Sequence, residues 1–146
     1  MEELIFEKIS NSEAQTEEIA GEFARLLPKD GFVQLSGEPG AGKTAFVRGM
    51  GRYLCPGAAV RSPTYTVMRD YPCVSGGRFY HFDLYRIFTD EDLESVGFYD
   101  CAGLIAAEWC ENVPFALPRR RYLVRIDKGE AEYCRRIVAT LIDESR

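Results

Sequence analysis

Positive charge is in deficit in this chain. Its 18 lysines and arginines face 23 aspartates and glutamates, and the formal net charge is −5. A surface of that sign repels a phosphate backbone, so any dealing with nucleic acid is expected to run through a partner. Paired cysteines are missing too. Cys55, Cys73, Cys101, Cys110 and Cys134 are odd in number, and none has CxxC spacing. That argues against a disulfide framework or a zinc site and for reduced thiols. No apolar run approaches the ~20 residues of a membrane span. The start, Met1-Glu2-Glu3-Leu4, is acidic where a secretory leader is basic and then apolar. A cytoplasmic location is expected. Repeats, low-complexity segments and interdomain linkers are absent, and His81 is the only histidine. The chain has 146 residues, 46% hydrophobic and 28% charged. That is an ordinary globular composition, and one domain over residues 1–146 is expected.

One segment carries specific chemistry. Gly37-Glu38-Pro39-Gly40-Ala41-Gly42-Lys43-Thr44 fills every fixed position of a phosphate-binding loop. It follows Phe32-Val33-Gln34-Leu35, which reads as a strand, and precedes Ala45 to Met50, which reads as the first turns of a helix. Gly37, Gly40 and Gly42 let the backbone curl so that N–H groups, those of Ala41 and Ala45 among them, face phosphate oxygens. The helix N-terminus adds partial positive charge. Lys43 reaches toward the β- and γ-phosphates, and the Thr44 hydroxyl is placed to ligate Mg²⁺. A chance glycine-rich turn rarely has all of these features in this context. ATP or a related triphosphate, with magnesium, is the expected ligand.

Periodicity places the remaining elements. Strands are predicted at Leu4–Ile9, Phe32–Ser36, Tyr65–Tyr71, Arg78–Leu84, Leu104–Glu108, Tyr122–Asp127 and Arg135–Leu141. Ser12 and Gln15 read as a capping box for a helix with Ile19, Ala20, Phe23, Leu26 and Leu27 on its apolar face, stopped by Pro28. The loop helix should end near Leu54, and a short acidic helix spans Asp90–Val96. Hairpins at Ser75-Gly76-Gly77 and Lys128-Gly129-Glu130 make a purely parallel sheet impossible. The predicted fold is α/β: a P-loop NTPase-like three-layer sandwich with a mixed central sheet, a parallel core plus antiparallel hairpins.

A phosphate loop needs a carboxylate at the end of a neighbouring strand to complete a magnesium site. Two predicted strands end in one, at Glu108 and at Asp83. Lys43, Asp83 and Glu108 are therefore the candidate catalytic residues, and Thr44, Glu108 and Asp83 the candidate metal ligands. His81 lies two residues before Asp83, on the same sheet face. It can orient a carboxylate or a water, or serve simply as a hydrogen-bonded strand residue. Trp109 should point away from Glu108 into the core, with the lip of the nucleotide site as the alternative. Ser62-Pro63-Thr64 lies between the loop helix and a hairpin, where a segment can sense the γ-phosphate or form a rigid turn.

Taken together, the loop, Arg61-Ser62-Pro63-Thr64-Tyr65-Thr66, His81-Phe82-Asp83-Leu84-Tyr85-Arg86 and Glu108-Trp109-Cys110-Glu111-Asn112 resemble one family in order and spacing. It is the TsaE family (formerly YjeE), bacterial ATPases of tRNA threonylcarbamoyladenosine biosynthesis. The resemblance covers nearly the whole chain, and its His-Phe-Asp-Leu-Tyr-Arg segment is the most specific part. It implies two partner subunits, TsaB and TsaD, and the tRNA would be held mainly by them, meeting this chain indirectly. It implies that TsaD modifies adenosine 37 while this subunit hydrolyses ATP to support repeated turnover. It maps Lys43 and Thr44 onto phosphate and magnesium, and Glu108 and Asp83 onto the metal-side acids. Thr64 maps onto a switch-like segment near the γ-phosphate, and Thr16 onto the adenine side. Cys110 stands where the family often has proline.

Two other readings compete. A small P-loop kinase for a nucleoside or metabolite needs a cationic lid, for which Arg119-Arg120-Arg121 is the candidate, although a solvated loop is the simpler reading. A GTPase switch draws on Asp100-Cys101-Ala102-Gly103, but no Asn-Lys-x-Asp guanine-reading segment accompanies it.

Overall fold

Phe32–Ser36 ends up in the middle of a seven-stranded sheet because Val33 and Leu35 on one face and Phe32 on the other must all be covered. The computed structural model describes residues 1–63 and 66–145. In chain order the elements are β1 (Glu2–Ser10), α1 (Glu13–Ala24), β2 (Phe32–Ser36), α2 (Lys43–Leu54), β3 (Met68–Pro72), β4 (Arg78–Asp83), α3 (Asp90–Ser95), β5 (Leu104–Glu108), β6 (Arg120–Lys128) and β7 (Arg135–Asp143). Single 3₁₀ turns at Phe98–Asp100, Cys110–Asn112 and Pro114–Ala116 join the later strands.

The sheet order is β1-β7-β6-β2-β5-β4-β3. Strands β6, β2, β5 and β4 run parallel to their neighbours in that order. Antiparallel pairs flank them, β3 on β4 at one edge and β1 on β7 on β6 at the other. The mixed sheet is as the hairpin count required. On one face, Phe23, Phe46, Val47 and Met50 of α1 and α2 pack on Val33, Leu35, Ala106, Val124 and Ile126. On the other, Leu93 and Phe98 cover Phe32, Phe82 and Ala107. Helices on both faces of a central sheet make the three-layer sandwich.

Several boundaries depart from the sequence pattern. Helix α1 stops at Ala24, not at Pro28. Leu26 and Leu27 close 3₁₀-type bonds to Phe23 and Ala24, because the residue before a proline is pushed out of the helical region. Leu26 is consequently exposed rather than on the core face. The cap at Ser12 forms, its Oγ accepting from Gln15 N at 3.0 Å, but Gln15 Oε1 returns to Asn11 N one residue early. Strand β3 begins at Met68, later than predicted, after Val67 adopts φ 65°. A β-branched residue in the left-handed region cannot continue a strand inward.

Helices α1 and α2 touch backbone to backbone. A Cβ on Gly49 would collide with the Glu17 carbonyl oxygen, and Gly21 lies against the Gly49 carbonyl. Substituting Gly49→Ala is expected to destabilise. The overpacking cost of about 1–3 kcal/mol exceeds the helix-propensity gain of ~1 kcal/mol. A lower urea midpoint with an unchanged slope is the expected measurement.

Candidate functional site

Strand β2 delivers the loop of residues 37–44 to the C-terminal end of the parallel strands. The loop turns on residues with left-handed backbone, Gly40 at φ 81° and Gly42 at φ 112°. Gly42 is the N-cap of α2 and supplies no side-chain hydrogen bond. The first N–H groups of the helix are therefore left to an anion, beside the positive end of the helix dipole. Gly37 must be glycine for a different reason, since a Cβ there would meet the Ile126 carbonyl. Ala41 is wholly buried and closes a tight turn to the Glu38 carbonyl at 3.1 Å. Lys43 curls back over the loop, and its ammonium donates to the Gly37 carbonyl.

A cleft of about 330 Å³ opens over this loop. It is lined by Gly40, Gly42, Lys43, Thr44 and Ala45 on the loop side and by Glu108 and Trp109 across from them. Parallel pairing of β2 with β5 sets Leu35 opposite Glu108, so the carboxylate emerges level with the start of the loop. Pairing of β4 with β5 sets Asp83 directly beside Glu108.

His81 resolves differently from its sequence neighbourhood. It is fully buried, and its Nε2 lies 2.9 Å from Glu108 Oε2, so its partner is the acid on the adjacent strand. Asp83 instead caps its own chain, Oδ1 accepting from Tyr85 N at 3.1 Å, and it is not among the cleft-lining residues. Burial raises the Asp83 carboxyl above the usual carboxylate range. The Tyr85 N–H opposes that, and the neighbouring Glu108 adds to it. Two acids side by side with this bias form a place that gains from a cation.

Trp109 takes up both expected positions: it is half-buried against the Phe32, Phe82 and Phe98 cluster, and it also lines the cleft. Its backbone is left-handed, φ 64°, immediately after β5 ends. The strand ends there, and the indole reaches the cleft while packing edge-on to Tyr85 at 4.9 Å. Thr16 is buried in α1, its hydroxyl 2.7 Å from Ser10 Oγ. It borders a small recess behind the loop with Gly42, Ala45, Tyr133 and Arg135. Thr64 lies outside the described residues.

Arg135 and Arg48 were not singled out from the sequence. Arg135 Nε donates to the Ala41 carbonyl at 2.8 Å and Nη2 to the Gly40 carbonyl at 3.3 Å, bracing the loop from the start of β7. No local pattern marks it, because 94 residues separate it from Ala41. Arg48 lines the cleft and pairs with the buried Glu17 at 3.3 Å. Its position four residues after Thr44, on the same helix face, was a usable signal.

The features of the competing readings sit at the wrong end of the sheet. Arg120 and Arg121 open β6, which runs parallel to β2, so they lie at the end opposite the loop. They are engaged there with Asp143 and Glu144. The expectation of a solvated loop holds for Arg119, which is exposed just before β6, and fails for Arg120 and Arg121, which are strand residues. Asp100 to Gly103 precedes β5 and is equally remote from the loop.

A family model described as Threonylcarbamoyl adenosine biosynthesis protein TsaE matches residues 10–137. The chain is 40% identical over 99 residues to the tRNA threonylcarbamoyladenosine biosynthesis protein TsaE of Haemophilus influenzae, covering 66% of this chain and 62% of that protein. It is 39% identical over 112 residues to the protein of the same name from Aquifex aeolicus, covering 75% and 80%. This chain thus spans 62% of the length of the Haemophilus relative and 80% of the Aquifex one. Among solved structures, the crystal structure of YdiB of Bacillus subtilis superposes with a TM-score of 0.76. It is 24% identical, covers 97% of this chain and 88% of that one, and establishes likeness of fold. No helix among the described residues is long and apolar enough to cross a membrane.

Proposed function

The chain belongs to the TsaE family, and from that membership and the cleft we propose a magnesium-dependent ATPase subunit of the threonylcarbamoyladenosine tRNA-modification machinery. In this reading it hydrolyses ATP to support turnover by TsaB- and TsaD-like partners, which hold the tRNA. The observation that carries the reading is the uncapped N-terminus of α2 facing the Glu108 carboxylate across one cleft.

The donor set suits the proposed ion. Thr44, Glu108 and Asp83 offer hard oxygens, as Mg²⁺ requires. Among the described residues no three His, Cys, Asp or Glu side chains are arranged to hold a metal ion by themselves, so phosphate and water oxygens would complete the shell. Bound magnesium would supply positive charge at the β- and γ-phosphates. The chain's own residues do the rest. Loop N–H groups bind the phosphates, and Lys43 leaves the Gly37 carbonyl to neutralise charge that builds as the γ-phosphoryl transfers to water. His81 holds Glu108 in one orientation. Thr16 and its recess lie on the side proposed for adenine.

The test is a titration against the purified TsaB–TsaD pair with ATP, a non-hydrolysable analogue or ADP. Partner affinity should differ between nucleotide states by about 5–150-fold, the usual span of a coupling free energy. The partners should shift nucleotide affinity by the same factor. Equal affinity in every state, with full multiple-turnover modification when this chain is omitted, rejects the proposal.

A further inference from the structure

Two thiols meet away from the nucleotide cleft. Cys55 caps the C-terminal end of α2, and Cys73 directly follows β3 at the turn into β4. Their Sγ atoms are 3.6 Å apart. The backbone holds them there, because Val74 N donates to the Leu54 carbonyl at 3.1 Å, one residue from each cysteine. A disulfide needs its sulfurs ~2 Å apart, so closure asks for a shift of roughly 1.5 Å. The Cys55 thiol also has the Tyr71 carbonyl at 3.9 Å, and the thiols of Cys101 and Cys110 point at the carbonyls of Gly97 and Ala107.

We propose that Cys55 and Cys73 form a dithiol modification site that a hydroperoxide converts to an intramolecular disulfide. The bond would tie the far end of the phosphate-loop helix to the β3–β4 hairpin. It would close the connection, 18 residues from Cys55 to Cys73, that contains Ser62 and Pro63.

Exposure sets the order of events. Cys55 is 2% exposed, whereas Cys73 is half-buried and is the sulfur an oxidant reaches. Burial, reinforced by the contact with Cys73, pushes the Cys55 thiol up to about 12, which keeps it protonated at the first step. The Cys73 thiolate attacks the peroxide O–O bond, becomes a sulfenic acid and releases an alcohol or water. The Cys55 sulfur then attacks the Cys73 sulfur. An S–S bond forms, the sulfenic S–O bond breaks, and the leaving hydroxide takes the Cys55 proton to depart as water. Two electrons have passed from the thiols to the peroxide.

The experiment treats the reduced 146-residue chain with hydrogen peroxide, removes the oxidant, and alkylates after denaturation. Three of the five cysteines should then alkylate, and the mass before alkylation should fall by about 2 Da, for two hydrogens lost. Trypsin should release residues 53–61 joined to residues 70–78, and dithiothreitol should restore all five alkylations. In Cys73→Ser no cross-link should form. In Cys55→Ala, dimedone should trap the sulfenic acid on Cys73. Should either variant fail to fold, the wild-type peptide map decides alone. A cross-link between other cysteines, a covalent dimer, or sulfinic acid on Cys73 with Cys55 still alkylatable would each overturn the proposal.

Discussion

Glu108→Gln should lose ATP hydrolysis by on the order of 10²–10⁴-fold while keeping the fold. The substitution preserves size and leaves an oxygen to accept from His81 Nε2, which sits 2.9 Å from Oε2 in the wild type. What it removes is one negative charge at a site proposed to hold a divalent cation. Metal-borne charge stabilisation is worth several kcal/mol of barrier, and each 1.36 kcal/mol is tenfold in rate. Stability should be unchanged or slightly higher, because Glu108 lies in register beside Asp83 and like charges on neighbouring strands repel. Loss of turnover with an intact melting transition is therefore the signature. Near-normal magnesium-dependent hydrolysis in Glu108→Gln would move the metal role to Asp83, and Asp83→Asn would then show the large loss.

Lys43→Ala should lose about 10³-fold or more, in line with other cations that meet charge building on a transferring phosphoryl group. The side chain donates to the Gly37 carbonyl at the start of the loop. It is thus tethered within the cradle where the β- and γ-phosphates are proposed to sit. Alanine removes that donor and a full positive charge, but no core contact. Steady-state hydrolysis and nucleotide titration by calorimetry separate the two consequences. Loss of turnover with ATP still bound assigns Lys43 to the transition state, and loss of both assigns it to ground-state binding as well. Unchanged turnover would remove the nucleotide assignment altogether.

Much of this architecture is readable in one dimension because it is local. Phe32–Ser36, the loop and α2 are contiguous, and Leu104–Glu108 is a short apolar run closed by its acid; both strands were found at the bounds predicted. Misreadings fell where a local rule met a backbone exception. Alternation put Trp109 toward the core, where it does pack, but the left-handed backbone that ends the strand also brings it to the cleft. Helical periodicity put Leu26 on the apolar face, but the helix had already ended at Ala24. The arginine run looked loop-like because of Pro118, yet its second and third members open β6 and are tied down by acids at the end of β7 and just beyond.

The sequence by itself determined that a glycine-rich loop of the phosphate-binding pattern stands between a buried strand and a helix, that two strands end in acids, and that the sheet is mixed. Each of these depends on residues within a few positions of one another, where sterics and burial act directly. Which acid meets His81, which one borders the cleft, and which arginine braces the loop were decided only by the tertiary structure. Those contacts span 27 residues for His81 with Glu108 and 94 for Arg135 with Ala41. They follow from strand order and register, which are set by how two helical layers cover one sheet and not by the spacing of the residues themselves.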